Sequence, residues 1–270
     1  MRAARRLTGV VAGAGLIACA GAGPASADID EYPRNASATP LGRAMETQRG
    51  LVRRGVFPAI PPSSKPAAVS TTRMAGFPRR GSSYAILSTG NARSADDPND
   101  KTDLGTQARG PSIRGARDVT ILRLDLRVPR GRNCLSFDFR YLSEEFPEFV
   151  DSEFNDAFVA ELDVTDWDAS SKTDPIVRSP SNFALSRRGN PIRVNTLSTT
   201  RVTPFQARGT TYDAATRILR ASTRVRPGLR RLYLSIFDQG DRIYDSAVFL
   251  DNLGVTRRER CRSEVARAPS

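Results

Sequence analysis

Apolar and polar residues alternate along several short stretches of the chain, a period typical of β-strands with one buried face. The clearest stretch is "NCLSFDFRYLS", in which Leu135, Phe137, Phe139 and Tyr141 alternate with serine, aspartate and arginine. Further strands are predicted in "SSYAILSTGNA", "VTILRLDLRVP", "DAFVAELDV", "PIVRSPSNFALS", "IRVNTL", "TRILRASTRV", "LRRLYLSIFD" and "SAVFLDNLGV". Proline and glycine separate many of these stretches, and helical periodicity is almost absent.

This pattern predicts an all-β protein, an antiparallel β-sandwich of jelly-roll-like form. We expect one domain over residues 71–256, followed by a C-terminal tail over 257–270. Residues 28–70 are rich in proline, serine, alanine and arginine and predict a disordered lead-in, partly ordered from about residue 41. A short helix is predicted there in "LGRAMETQRGLVRRG".

The first 27 residues have the pattern of a signal peptide. A basic start, "MRAARR", precedes the apolar run "LTGVVAGAGLIA", and "ASA" before Asp28 has the form of a signal-peptidase site. An alternative is the lipobox-like "LIAC", which would make Cys19 a lipidated N-terminus. Either signal exports the protein, so we expect a secreted or lipid-anchored protein. No later segment is apolar enough to predict a membrane-spanning helix.

Cysteine and histidine usage narrows the chemistry. Cleavage before Asp28 leaves two cysteines, Cys134 and Cys261. An even number in an oxidising compartment favours a disulfide between them, with two unpaired thiols as the alternative. The chain contains no histidine, so Ser-His-Asp and Cys-His catalysis and histidine-bound zinc are excluded.

The chain is strongly basic, with a formal net charge of +12. A nucleic-acid interface would need its cations clustered on one face or helix. The arginines are instead scattered along the sequence, so we predict no binding to nucleic acid.

Carboxylates are concentrated in one stretch, "FDFRYLSEEFPEFVDSEFNDAFVAEL", whose only basic residue is Arg140. A second, smaller group lies in "FDQGDRIYDSAVFLDN". Each group lies in or beside a turn between two predicted strands. Loops at one end of a sandwich can bring distant oxygens together, and Ca²⁺ prefers six to eight oxygen ligands. The alternative is that these acids are solvated, paired with arginine or used to cap turns.

Paired carboxylates also serve glycoside hydrolases. Glu144 or Glu145 could act with Glu148 or Asp241 in that role. Such enzymes need aromatic platforms for sugar rings, however, and the chain has a single tryptophan, Trp167. A carbohydrate-active hydrolase is therefore the alternative function, and we predict no catalytic residue.

Three motifs carry a family resemblance: "YAILSTGNA", "SEEFPEFVDSEFND" and "YDSAVFLDNLGV". From about Leu41 to Val255 the chain resembles the bacterial choice-of-anchor L domain, with Phe146 where that family usually has tyrosine. The resemblance implies an extracytoplasmic domain attached to varied surface anchors, without established enzymatic activity. The sequence ends without a hydrophobic tail or sorting motif, so we expect release or N-terminal lipidation.

These observations combine into one prediction. We expect a secreted binding or surface-structure module, related to adhesion, whose ligand is extracellular, such as a cell-wall polymer or polysaccharide. Ca²⁺ is the expected cofactor. Its main oxygen donors are predicted to be Glu144, Glu145, Asn155, Asp156, Asp241 and Asp245, with Glu148 and Asp151 as secondary candidates. Pro147 is expected to fix the bend between the glutamates and the second strand.

Overall fold

The computed structural model describes residues 28–100, 112–152, 154–170, 177–186, 188–194, 202–240 and 242–269. Its strands, in chain order, are β1 (Ile29–Glu31), β2 (Val52–Ala59), β3 (Ala67–Ser70), β4 (Tyr84–Ser88), β5 (Arg117–Val128), β6 (Cys134–Ser143), β7 (Ala157–Leu162), β8 (Ile192–Arg193), β9 (Ala214–Ala215), β10 (Leu219–Arg224), β11 (Gly228–Asp238), β12 (Ser246–Thr256) and β13 (Glu264–Arg267). A helix, α1, spans Thr39–Met45, and single 3₁₀ turns span Ala92–Asp96 and Pro204–Ala207.

These strands form two antiparallel sheets, so the predicted all-β sandwich is confirmed. The larger sheet has the order β1-β3-β4-β12-β6-β10-β13, with β9 paired to β6. The smaller sheet has the order β2-β5-β11-β7-β8. The long predicted strands around residues 120, 138, 234 and 250 are the central members β5, β6, β11 and β12. The expected strand in "PIVRSPSNFALS" contains only isolated bridges in its described part.

The main core lies between the two sheets. The inward side chains of β6 (Leu135, Phe137, Phe139 and Tyr141) belong to it together with those of β11, including Leu232, Leu234 and Ile236. All seven are fully buried. Complete burial of one such side chain contributes about 1.5–3 kcal/mol, so the alternating pattern seen in the sequence drives the packing of one sheet on the other.

Both sheets are also covered on their outer faces. A second cluster around Tyr84, Phe249 and Tyr212 covers the larger sheet. A third, around Trp167 and Phe237, covers the smaller one. This double covering explains why β6 and nearly all of β12 are buried along their full length.

Segments outside residues 71–256 also join the two sheets. Residues 28–70 supply β1, α1, β2 and β3, so regular structure begins at Ile29, earlier than the partial order expected from about residue 41. The register of β1 against β3, Ile29 opposite Ser70, places the first strand at the edge of the larger sheet. The tail also contributes, because β13 pairs with β10. The strands β1, β3 and β13 have only three or four residues each. They are therefore too short to show an alternation of apolar and polar residues in the sequence.

The disulfide predicted between Cys134 and Cys261 is confirmed. It joins the first residue of β6 to the segment before β13 and closes a separation of 127 residues. Together with the pairing of β13, it fastens the C-terminal segment to the larger sheet. In the part of the chain that the structure describes, no helix is long and apolar enough to cross a membrane.

Candidate functional site

The two acidic segments meet because of how the central strands are paired. β6 ends at Ser143 beside Ser246, the first residue of β12. In the other sheet, β7 begins at Ala157 beside Phe237 near the end of β11. The β6–β7 and β11–β12 connections therefore both cross from one sheet to the other at the same end of the sandwich. We call this end the acidic rim, formed by residues 144–152, 154–156, 238–240 and 242–245.

Hydrogen bonds tie the two connections together. The Glu144 amide donates to the carbonyl of Asp245 at 3.1 Å, and the Asp245 amide donates to Glu144 Oε2 at 3.1 Å. On the other side, the Asn155 amide donates to the Gln239 carbonyl at 3.0 Å. The Gln239 amide donates to Asp156 Oδ1 at 3.2 Å. Four hydrogen bonds therefore hold the rim together. The Glu144–Asp245 pair is separated by about 100 residues in the sequence, and the bonds to Gln239 span more than 80 residues.

Aromatic rings reinforce this contact at the surface. Phe149 packs against Tyr244 of the opposite connection, with 4.8 Å between ring centroids and the ring planes tilted by 46°. Phe154 meets the same phenylalanine edge to face at 5.3 Å. The apolar residues that interrupt the acidic motif thus join the two connections above the carboxylates.

Five of the six predicted cation ligands lie buried in the two connections at this end of the sandwich. Glu144, Glu145, Asn155, Asp156 and Asp245 are all no more than 2% exposed. The sixth, Asp241, lies outside the described residues. Glu148, Asp151 and Pro147 are exposed and do not belong to this buried group.

Hydroxyl groups line the floor of the rim. The Tyr141 hydroxyl lies 3.0 Å from the Asp156 carbonyl and 2.9 Å from Ser246 Oγ. The Thr89 hydroxyl donates to Asp245 Oδ1 at 3.2 Å and accepts from the Ser246 amide at 2.9 Å. Burial is the largest influence that raises the pKa of Tyr141 well above its usual value, and the charges of Asp156 and Glu145 add to it.

Gly90 explains part of the "LSTGNA" motif. A Cβ atom at this position would lie 2.1 Å from Asp245 Oδ2 and 2.3 Å from its Cγ. Real Cβ atoms essentially never approach other atoms below 3.0 Å. Glycine is therefore required for the Asp245 carboxylate to occupy its position in the rim.

Two further carboxylates lie at this end of the sandwich: Asp238, which belongs to the rim, and its neighbour Asp118 of β5. Asp238 is 1% exposed, and neither of its carboxylate oxygens has a hydrogen-bond partner in the described residues. Burial raises its pKa well above the usual range; the charges of Asp156 and Asp245 raise it further, and nearby Thr89 lowers it in part. Asp118 has a pKa raised to about 6 by burial, against the lowering effect of Arg242, whose Nη1 lies 2.8 Å from Asp118 Oδ1.

The sequence analysis did not select Asp238, Asp118 or Thr89. In the sequence, Asp238 has the position of a turn residue that follows a strand. In the structure, the pairing of β11 with β5 shifts register between Ile236 and Asp238, so the Asp238 side chain does not follow the regular alternation of the strand. Asp118 lies just before the apolar residues of β5, and no sequence motif marks it as a candidate ligand. Asp238 belongs to the second acidic stretch, "FDQGDRIYDSAVFLDN", and this membership is the one signal in the sequence that points to it.

The donor chemistry of the rim fits a hard cation, because its side chains offer carboxylate, amide and hydroxyl oxygens. Among the described residues, no three or more His, Cys, Asp or Glu side chains are arranged around one metal position. A cation would therefore need backbone, amide or hydroxyl oxygens, or a shift of the side chains, to complete its coordination.

The same geometry bears on the hydrolase alternative. Glu144 and Glu145 are each 1% exposed, so a polymer chain has no access to them in this arrangement. Trp167 is also buried, stacked on Phe237 with 4.2 Å between ring centroids, and its Nε1 donates to Ser235 Oγ. It is therefore a core residue and not a platform for sugar.

Comparison with known proteins agrees with the motifs. The sequence profile of the choice-of-anchor L domain matches residues 69–255, and the chain belongs to this family. A search of curated proteins found no significant match.

Two solved structures are similar over most of the chain at low identity. One is TmCBM61 in complex with β-1,4-galactotriose, with 10% identity and a TM-score of 0.32, covering 77% of this chain and 92% of that one. The other is CBM28, a carbohydrate-binding module specific for non-crystalline cellulose, with 12% identity and a TM-score of 0.33. That match covers 84% of this chain and 98% of the other.

Proposed function

We propose that this choice-of-anchor L domain is an extracytoplasmic binding or surface-structure module whose acidic rim is held together by Ca²⁺. The family membership supports the first part and the chemistry of the rim supports the second. In this account the cation acts structurally: it neutralises buried carboxylates and fixes the two connections relative to each other.

The observation that carries the proposal is the environment of Asp238. An ionised carboxylate that is buried without hydrogen bonds costs several kcal/mol unless a positive charge compensates it. Asp238 faces Asp156 and Asp245, which raise this cost further. Either a proton or a cation must neutralise the group, and a cation would neutralise several carboxylates at once.

Calcium suits the site better than the common alternatives. It accepts six to eight oxygen ligands with flexible geometry, whereas Mg²⁺ demands a tight octahedron and keeps several waters. The candidate ligands, whose side chains would have to shift to share one cation, are Glu144, Glu145, Asp156, Asp238 and Asp245. Amide oxygens of Asn155 and Gln239, together with Asp241, extend this set. Zinc usually draws on cysteine or histidine, and both cysteines of the described chain are in the disulfide.

Thermal unfolding of the purified full chain tests the cation. We expect EDTA to lower Tm and Ca²⁺ to restore it, while Mg²⁺ restores it less. At a Ca²⁺ concentration of about 100 times Kd the stabilisation is about 2.7 kcal/mol, or about 5–10 °C for a domain of this size.

The variant Asp238→Asn separates a cation from a proton. Removing the buried charge should raise Tm in EDTA and abolish most of the response to Ca²⁺. Asp97→Asn, an exposed acid after the 3₁₀ turn, is the matched control and should respond like the unaltered protein. An unchanged Ca²⁺ response in Asp238→Asn would show that the cation does not bind at Asp238, and the absence of any Ca²⁺ response in the unaltered protein would show that the rim is neutralised by protons alone.

Export and ligand binding are the remaining parts of the proposal. The signal peptide at 1–27 and the alternative lipid anchor at Cys19 lie outside the described residues. Intact mass of the exported protein distinguishes them, because cleavage before Asp28 and lipidation at Cys19 give different masses. Release of reducing sugar from cell-wall polysaccharide, lost in Glu145→Gln, would instead establish the hydrolase.

A further inference from the structure

A polar cavity of about 590 Å³ lies on the larger sheet, away from the acidic rim. Four arginines line it: Arg79, Arg80, Arg220 and Arg258. Hydroxyl and amide side chains of Thr47, Gln48, Ser136, Asn252 and Thr256 complete most of its wall. We call it the arginine pocket.

A buried carboxylate holds one of these arginines by hydrogen bonds and forms a longer ion pair with a second. Asp138 is fully buried and accepts two hydrogen bonds from Arg220, Nε to Oδ1 at 2.6 Å and Nη2 to Oδ2 at 2.9 Å. The Asn252 amide donates to the same Oδ2 at 2.9 Å, and Arg79 Nε lies 3.7 Å from it. This network orients the floor of the pocket before any ligand binds.

The other two arginines keep their charge available. Arg80 and Arg258 are exposed, and in the described part of the chain neither forms a side-chain ion pair. The Arg80 backbone is nevertheless fixed, because its amide donates to Asp251 Oδ2 at 2.8 Å. The pocket thus combines two positioned cations with two unpaired ones.

The charge balance favours an anionic ligand. Among the described residues, Asp138 and Asp251 are the carboxylates bonded to the lining residues, and both are buried behind them. Four guanidinium groups therefore face two carboxylates, which leaves a positive excess at the opening. Arginine presents paired N–H donors that match carboxylate and phosphate oxygens.

We propose that the arginine pocket binds the acidic groups of an anionic polysaccharide, a uronate carboxylate or a sugar phosphate. Its volume is in the range of small-ligand sites, about 300–1,000 Å³, which accommodates a sugar residue bearing such a group. The hydroxyl and amide side chains of the wall can bond the sugar hydroxyls. The polysaccharide source rests on the extracytoplasmic location in the proposed function, whereas the acidic-group chemistry rests on the pocket alone.

Calorimetric titration with three probes tests this assignment: trigalacturonate for carboxylate, glucose 6-phosphate for phosphate, and maltotriose as the neutral sugar. We expect one or both acidic probes to bind and the neutral sugar not to bind. Binding of trigalacturonate alone would identify the carboxylate source, and binding of glucose 6-phosphate alone the phosphate source. No binding of either acidic probe, or equal binding of maltotriose, overturns the proposal.

Paired variants distinguish a site from the diffuse attraction of a basic protein. Arg80→Gln with Arg258→Gln should weaken binding about tenfold or more, because two charged donors are lost. The control, Arg178→Gln with Arg231→Gln, removes the same charge from two exposed arginines of the smaller sheet and its covering segment. Equal weakening by both pairs would contradict a defined pocket.

Binding of the acidic probes can be measured independently of Ca²⁺ binding at the acidic rim. The titrations are made in EDTA and repeated in Ca²⁺, and the oxyanion response is expected in both conditions because no lining residue belongs to the acidic rim. A protein without any Ca²⁺ response can still bind the acidic probes.

Discussion

Replacement of Gly90 by alanine is the sharpest steric test of the acidic rim. The new Cβ would lie 2.1 Å from Asp245 Oδ2 and 2.7 Å from Oδ1, so the whole carboxylate has to move. Its displacement breaks the 3.2 Å hydrogen bond from Thr89. Asp245 is 2% exposed, so its surroundings have little room for the shifted group.

The expected cost follows from these contacts. Overpacking of a buried site costs about 1–3 kcal/mol, and a buried polar group that loses its partner costs a similar amount. For a domain of this size each kcal/mol corresponds to about 2–4 °C in Tm. We therefore expect Gly90→Ala to lower Tm by about 4–24 °C and to weaken the Ca²⁺ response.

A double-mutant cycle identifies the cause. If the clash with Asp245 produces the loss, Gly90→Ala should cost much less in an Asp245→Ala background. Gly254→Ala is a useful control, because its Cβ would meet only the exposed Thr47 hydroxyl at 2.6 Å, which can rotate away. Urea unfolding of the four proteins gives the coupling energy. Additive effects, or a Gly90→Ala protein as stable as the unaltered one, would refute the reasoning.

Three other measurements test other parts of the molecule. Arg220→Met leaves Asp138 charged and fully buried, so urea unfolding should show a loss of about 3–5 kcal/mol; a loss below about 1 kcal/mol would mean that the pair acts like a surface salt bridge. Burial raises the pKa of Asp251 to about 6. The folded state then binds more protons than the unfolded state between about pH 4 and 6, so stability falls as pH rises through this window. Unfolding of Asp251→Asn should lack that part of the pH dependence, and identical profiles would contradict the shift. Replacing Cys134 and Cys261 by alanine should cost about 2–5 kcal/mol in calorimetric unfolding, and an unchanged Tm would show that the tail is held by β13 alone.

The central strands can be predicted because the alternation of apolar and polar residues is contained within each strand's own sequence. β6 shows its inward face directly in the alternation of Leu135, Phe137, Phe139 and Tyr141. The meeting of the two acidic segments is less local, since it depends on how β6, β7, β11 and β12 are paired. Their placement between apolar strands indicated that they lie in turns, and the family motifs supported their treatment as one set.

Other features depend on tertiary contacts that leave no periodic signal. The edge strand β1 has three residues and is defined by its pairing with β3. Asp238 enters the rim through a register shift in β11, and Arg220 joins Asp138 across neighbouring strands. In each case the decisive partner lies more than 30 residues away in sequence, so the residues at hand do not predict the contact.

Calorimetric titration of Ca²⁺ into the EDTA-treated full chain tests the central claim most directly. The account predicts saturable binding near pH 7, strongly weakened in Asp238→Asn and unchanged in Asp97→Asn. Binding should also weaken as the pH falls, because protons and Ca²⁺ compete for the same buried carboxylates. The absence of binding heat together with an unchanged Tm in Ca²⁺, or equal binding by both variants, would contradict a cation at the acidic rim.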